Sequence, residues 1–351
     1  MSVALADRRH IAVLALLLAL LAVIPIHLSI GAYGVSLGDL VRGALGLETS
    51  DPMASVVANL RVRRLVASIV AGMALGAAGA VMQGVLRNPL ASPFTLGISH
   101  AAALGVAVAL IVFELGGGVT QWFLRVENPY VLAAAALVSA LVQLAIILAL
   151  AYVAGLTERA LILAAIAMSF FYGALVNLIQ YVRFNELRVA MLTFWLFGDV
   201  GRPSWLELRF ISIPIFLILA YLVARSLSLD LDLLSLGDEI AASSGLNPRR
   251  ARLELAVAAT VAAALVTAFM GVLAFICLIA PHIVRLLVGH SYRFVTPASA
   301  LAGALLVTLA DSIGRSVIAP AVLPVGVVGS LLGAPLLLAL LLGREALRRH
   351  G

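Results

Sequence analysis

The sequence predicts an all-α protein that threads a lipid bilayer about ten times as one transmembrane domain, residues 1–351. Three observations predict it. Hydrophobic residues fill 63% of the 351 positions and charged residues only 11%, against about a quarter charged in an ordinary soluble domain. The mean hydropathy of +1.14 means more apolar surface than a soluble core can hide. Apolar runs recur along the whole chain at lengths near the roughly 20 helical residues that cross about 30 Å of hydrocarbon.

The first run, 11–30, follows Asp7-Arg8-Arg9-His10. A secretory signal also begins with a basic segment, but this run exceeds a signal core and more runs follow, so a retained first helix is expected. Next come 60–81, 94–113, 130–153, 160–182 and 206–223, then, after a polar interruption, 252–273, 275–288, 297–318 and 326–342. The eighth is short for a full crossing. Ten spans starting inside put both termini in the cytoplasm, together with the arginine-rich segments 226–250, 289–294 and 344–349, as the positive-inside rule asks. Arg61, Arg63 and Arg64 disobey, because they open the second run at the outer face. They are either a statistical exception or an outer basic ledge for an acidic soluble partner.

Gly72 and Gly76, with Gly79 close behind, and Gly329 with Gly333 give the spacing that lets helices approach closely in lipid. That is a packing signal without functional content. The halves 60–182 and 252–342 echo each other. The run Gln83-Gly-Val-Leu-Arg-Asn-Pro-Leu-Ala-Ser-Pro93 and the run Leu278-Ile-Ala-Pro-His-Ile-Val-Arg285 both set proline and arginine into an apolar stretch. Interruptions at matching places in two halves point to an inverted-repeat transporter. Between the halves, about 228–250 reads as a short amphipathic helix on the membrane surface. Ser235 is the expected N-cap, Asp238 and Glu239 the first-turn acids, Gly245 the stop, and Pro248 lies beyond. Leu236, Ile240 and Leu246 suit a partner's groove.

Composition excludes several chemistries. All 23 basic residues are arginine, so the chain has no P-loop lysine for ATP and no lysine for a Schiff base. Cys277 is a lone cysteine in an apolar run, read as a small core residue. The six histidines, at 10, 27, 100, 282, 290 and 350, have no metal-ligand spacing. No HExxH or GxSxG occurs, and the Asp230/Asp232 pair falls in the connector, so an enzyme is not expected. The net charge of +6 is explained by topology and anionic lipid headgroups rather than nucleic acid. An ion-coupled secondary transporter would carry charged residues within its spans. Asp311 is nearly the only deep carboxylate, and Arg315 follows it at i,i+4.

From Leu60 to Leu342 the chain resembles the iron-chelate and vitamin B12 class of ABC importer permeases, the FecCD-like type II importers. The residues that carry the resemblance are Arg61-Val-Arg-Arg64, Gly79-Ala-Val-Met-Gln83, Asn88-Pro-Leu-Ala-Ser-Pro93 with Leu96-Gly-Ile-Ser99, and Leu236-Gly-Asp-Glu-Ile-Ala-Ala-Ser-Ser-Gly245. Ala280-Pro-His-Ile-Val-Arg285, Ala310-Asp-Ser-Ile-Gly-Arg315, Leu323-Pro-Val-Gly326 and Gly333-Ala-Pro335 follow in order. The resemblance implies a homodimer of ten-helix subunits in the bacterial inner membrane. Two cytoplasmic ATPase subunits would hold ATP and magnesium, this chain holding no cofactor, and a periplasmic or lipid-anchored binding protein would deliver cargo. It implies that Leu236, Gly237, Ala242, Gly245 and Leu246 couple to the ATPase, the small residues allowing close approach. It implies docking of the binding protein at Arg61, Arg64 and Arg315, the last equally readable as the partner of Asp311. Asn88, Leu90, Thr157 and Glu158 would gate the pathway, Glu158 departing from the small hydroxylated residue usual there. Pro281, His282 and Arg285 would shape the cytoplasmic surface. The implied cargo is an iron chelate, a ferric siderophore or haem, with cobalamin or a metal oxyanion as alternatives.

Overall fold

A helix satisfies its own backbone hydrogen bonds, which is what lipid demands of a chain this apolar. The computed structural model describes residues 2–31, 33–44, 47, 49, 52–112, 130–155 and 157–349, and among these there is no strand. The helices are α1 (Ser2–Ser29), α2 (Leu37–Ala44), α3 (Pro52–Val85), α4 (Ile98–Val112), α5 (Tyr130–Val153), α6 (Glu158–Arg183) and α7 (Glu186–Leu196). Then come α8 (Trp205–Leu227), α9 (Asp230–Leu236), α10 (Asp238–Ser243), α11 (Pro248–Met270), α12 (Ile276–Val288), α13 (Tyr292–Ser316) and α14 (Val325–Arg349). Seven of them (α1, α3, α5, α6, α8, α11 and α13) are long and apolar enough to cross a membrane, and α4, α12 and the 325–339 part of α14 are shorter apolar helices. Each of the ten expected spans therefore has a helix, and the short eighth is α12, thirteen residues long.

The centre of the bundle is α3 against α13. At 34 residues, α3 is about 50 Å long and begins well before residue 60, so Arg61, Arg63 and Arg64 lie in its third and fourth turns rather than at its start. Its small residues let backbones meet. A Cβ on Gly72 would strike the Gly303 carbonyl, one on Gly76 the Ser299 carbonyl, and one on Gly79 the Cys277 carbonyl. We expect Gly76→Leu to lose about 3 kcal/mol, the upper end for overpacking, because the obstacle is backbone and cannot rotate away. Thermal unfolding in detergent would read this as a large downward shift, whereas Gly34→Leu, where a Cβ meets nothing within 4 Å, should leave the transition in place.

The two interruptions of the bundle lie at opposite ends. α3 stops in a Schellman turn: Asn88 N–H donates to Gln83 O (3.2 Å) and Arg87 N–H to Gly84 O (3.3 Å), with Arg87 at φ 45°. α11 stops at Gly271, and the extended 271–275 loop leads into α12. The second interruption was expected at 278–285, and the structure corrects this: Pro281, buried, lies inside α12. The Cys277 carbonyl, four residues earlier, loses its helical donor to Pro281 and packs instead against Gly79 of α3.

The connector between α8 and α11 also departs from expectation. It forms two short helices, α9 and α10, broken at Gly237, whose φ of 128° and ψ of 154° only glycine adopts readily. Ser235 therefore caps nothing; its hydroxyl donates to Asp232 O (2.7 Å). Gly245 does stop α10, at φ 87°, with Gly245 N–H to Ala242 O and Leu246 N–H to Ala241 O both at 3.0 Å. Asn247 then caps α11, with Pro248 in its first turn.

Candidate functional site

The connector is held to the transmembrane helices by charge. Asp238, at the start of α10, receives a two-pronged contact from Arg252 of α11, with Nη2 to Oδ1 at 2.7 Å and Nη1 to Oδ2 at 3.3 Å. Arg252 is only 2% exposed. Arg87, just past α3, also donates to Asp238 Oδ1, gives its Nε–H to Leu234 O (2.7 Å), and sets Nη1 3.5 Å from Glu158 Oε2 at the start of α6. Asp232 of α9 accepts from Tyr292 N–H (2.9 Å) and the Ser291 hydroxyl (3.2 Å), capping α13. On the outer side of this network Leu236 and Ile240 are exposed, as is Ala242. Leu246, expected outside with them, packs inward against the core. A Cβ on Gly237 or Gly245 meets nothing within 4 Å, so within this chain backbone conformation, not crowding, calls for glycine there.

The hydrogen bond from Arg252, aided by that guanidinium's charge and by Arg87, holds the Asp238 carboxyl below the usual carboxylate range despite partial burial. A depressed acid stabilises the fold above its unfolded value, about pH 4, and that contribution disappears as pH falls through the lower folded value. We expect proteolytic nicking of the connector to accelerate only on the acid side of pH 4, and Asp238→Asn to remove this acid dependence. The effect is modest, about 1 kcal/mol or less, because Asp238 is half exposed.

Beside the network, Gln83, Arg87, Asn88, Pro89, His282 and Arg285 line a cavity of about 300 Å³. Arg285 donates to Gln83 Oε1 and, at 3.3 Å, to the Tyr292 hydroxyl. Asn88 Oδ1 accepts from Leu90 N–H (2.9 Å), fixing the turn after Arg87 and leaving Leu90 exposed. Thr157 Oγ1 accepts from Ala160 N–H (3.2 Å) and so caps α6. A larger cavity, about 560 Å³, opens on the flank of α6 and is lined by Thr95, His100, Ser169 and Asn177 together with Phe94 and Phe170. Hydroxyl, amide and imidazole groups on a membrane-spanning helix are costly against lipid and belong to a wet or covered face. Ser169 and Asn177 stand out in the sequence as polar exceptions; His100 and Thr95 join them only through the fold.

At the opposite end Arg61, Arg64 and Arg315 turn inward. Asp311 is fully buried. It takes Arg64 Nη2 at 2.6 Å, His27 Nε2 at 2.9 Å and, as an ion pair without hydrogen-bond alignment, Arg315 Nε at 3.0 Å. Arg64 also reaches Asp199 Oδ1 (2.7 Å). The remaining donors satisfy the carbonyls at the end of α1. Arg315 donates to His27 O and Ile30 O, both at 2.7 Å, and Arg61 to Leu28 O (2.8 Å) and Tyr33 O (2.6 Å). A helix C-terminus with no free donors and a buried carboxylate both draw cations. That is why Arg61 and Arg315 are buried, at 4% and 7% exposure. The arginines left exposed at this end include Arg42, Arg202 and Arg209.

The FecCD transport family profile matches residues 17–343. An ABC transporter permease protein of Methanocaldococcus jannaschii is 42% identical over 315 residues, covering 90% of this chain and 89% of that protein. The Fe(3+)-citrate import system permease protein YfmE of Bacillus subtilis is 36% identical over 336 residues, 94% of each. The hemin transport system permease protein HmuU of Yersinia pestis is 35% identical over 328 residues, 90% of this chain and 94% of that one. Among solved structures, an inward-facing metal-chelate type ABC transporter superposes with a TM-score of 0.79 at 26% identity, covering 95% of this chain and 99% of that chain. The chain is a permease subunit of the FecCD transport family.

Proposed function

We propose that two copies of this chain form the pathway of a binding-protein-dependent importer, driven by two ATPase subunits docked on the connectors. The observation that carries this is the connector itself: an outward apolar face at Leu236 and Ile240 on two short helices that Asp238 ties to Arg252 of α11 and to Arg87 just past α3, which in turn reaches Glu158 of α6. A passive link between helices needs neither. The connector end and both termini then lie in the cytoplasm, in line with arginine placement, and the membrane is the bacterial inner membrane. The 560 Å³ cavity faces the second copy across the pathway, and Asn88, Leu90, Thr157 and Glu158 close the cytoplasmic side. Docking of an acidic binding protein falls on Arg42 and Arg209 rather than on the internally bonded Arg61, Arg64 and Arg315.

The proposed cargo is an intact iron chelate, a ferric siderophore or haem. The similar proteins named for Fe(3+)-citrate and hemin differ by one percentage point in identity to this chain, so the selection of cargo is assigned to the binding protein. A secondary transporter is disfavoured because Asp311 is neutralised by Arg64 and Arg315 and is fully buried. The test is reconstitution in proteoliposomes with the candidate ATPase and binding protein, scoring ATP-dependent uptake of haemin, a ferric siderophore, cobalamin and molybdate. Uptake of one of the first two supports the whole reading. Uptake of only cobalamin or molybdate overturns the iron cargo, and failure of any ATPase to associate overturns the importer.

A further inference from the structure

We infer that Arg87 transmits movement of the connector to the pathway, by joining Asp238 of α10 to Glu158 of α6 across the turn at residues 88–90. This rests on the importer reading above. The first observation is the backbone. Arg87 occupies the left-handed position of a Schellman turn, φ 45°, the place that glycine fills at Gly245 in this same chain. A residue with a Cβ is disfavoured there by about 1–2 kcal/mol. Local strain of this kind gathers where the side chain is needed.

The second observation is what that side chain reaches. Its three nitrogens are spread over three elements: Nε to Leu234 O of α9, Nη2 to Asp238 of α10 and Nη1 toward Glu158 of α6. The two ends of the bridge differ. Asp238 is also gripped by the buried Arg252, so α10 and α11 move as one piece. Glu158 is looser: at 3.5 Å its Oε2 is in ion-pair range but makes no hydrogen bond, although the atom is shielded from solvent. A partly exposed pair of this kind adds little to stability. It is well suited to tighten or part when α10 shifts by an ångström. Because Arg87 directly precedes Asn88, any pull on its guanidinium also acts on the turn that Asn88 Oδ1 closes onto Leu90 N–H. Glu158 begins the helix that carries Ser169 and Asn177 on the cavity wall. One residue thus links the connector and the pathway helix through its guanidinium, and the turn through its backbone.

The test uses the complex of the full chain with its ATPase and binding protein in proteoliposomes, reading ATP hydrolysed per cargo taken up. Arg87→Gly keeps the left-handed turn and relieves its strain, which offsets the lost contacts, and Arg252 still holds Asp238, so the complex should assemble with thermal stability near wild type. Basal hydrolysis should stay within about twofold while ATP consumed per cargo rises at least tenfold. Glu158→Gln should raise the ratio less, and in the Arg87→Gly background should add nothing, since both act through one contact. Wild-type stoichiometry in Arg87→Gly overturns the inference, as does full additivity of the two substitutions. Loss of ATPase binding in Arg87→Gly also overturns it, by making Arg87 a docking residue. A wild-type chain that binds no ATPase would fail before any substitution is made, which separates failure of the importer reading from failure of this one.

Discussion

Asp311→Asn is expected to cost about 3–5 kcal/mol, the range for removing one partner from a buried ion pair. It is the largest stability loss we expect from a single charge in this chain. The carboxylate accepts from Arg64 and His27 and pairs with Arg315, and His27 and Arg315 stay buried when it is gone. The loss should spread. With Asp311 neutral, Arg315 no longer has its anion, and its grip on His27 O and Ile30 O at the end of α1 weakens. α1 should therefore detach first, detected as faster proteolysis within residues 30–36 and early aggregation on heating in detergent. Asp199→Asn is the control: Asp199 contacts the same Arg64 but is about a third exposed, so it should cost about 1 kcal/mol or less. Equal losses in the two variants would show that burial of Asp311 is not what holds this end together.

The second large effect is on assembly. Leu236→Asp combined with Ile240→Asp is expected to weaken ATPase association at least a hundredfold, taking about 2 kcal/mol or more for each central apolar contact turned into a buried charge. Both side chains point away from this chain's own core, at 62% and 47% exposure, so the isolated chain should unfold at its wild-type temperature. That combination distinguishes a docking face from a structural one. Gly237 and Gly245 are poorer probes. Their φ values of 128° and 87° mean that any side chain strains the backbone, and lost association could not then be credited to the surface. Leu246→Asp should behave in the opposite way and destabilise the chain itself, because Leu246 packs on the core.

The spans were legible in the sequence because a bilayer imposes a length and a composition, and both are local properties. The stop at Gly245, the Asn88-Pro89 turn and the glycine spacing on α3 were legible for the same reason, each being settled within a few residues. The break at Gly237 is not legible in the sequence, because Ser235 followed by acids at 238 and 239 also fits a capped helix, and only the backbone angles separate the two. Pro281 reads as an interruption in the sequence but is not one, because a proline's lost hydrogen bond can be absorbed by close packing, here the Cys277 carbonyl against Gly79.

The charges mark the limit. Sequence alone determined that this chain lives in lipid, crosses about ten times, cannot bind ATP through a P-loop and carries the FecCD motifs in order. The Arg315–Asp311 pair is readable as an i,i+4 spacing, but only the tertiary structure decided what Arg61, Arg64 and Arg87 do. Arg64 meets Asp311 across 247 positions, Arg315 meets His27 across 288, and Arg87 meets Asp238 across 151. An arginine reads identically in sequence whether it faces water or caps a buried helix end. Which it does depends on where the nearest unsatisfied carbonyl or carboxylate lies, and in a low-dielectric bundle that partner is brought close by helix packing rather than by spacing along the chain.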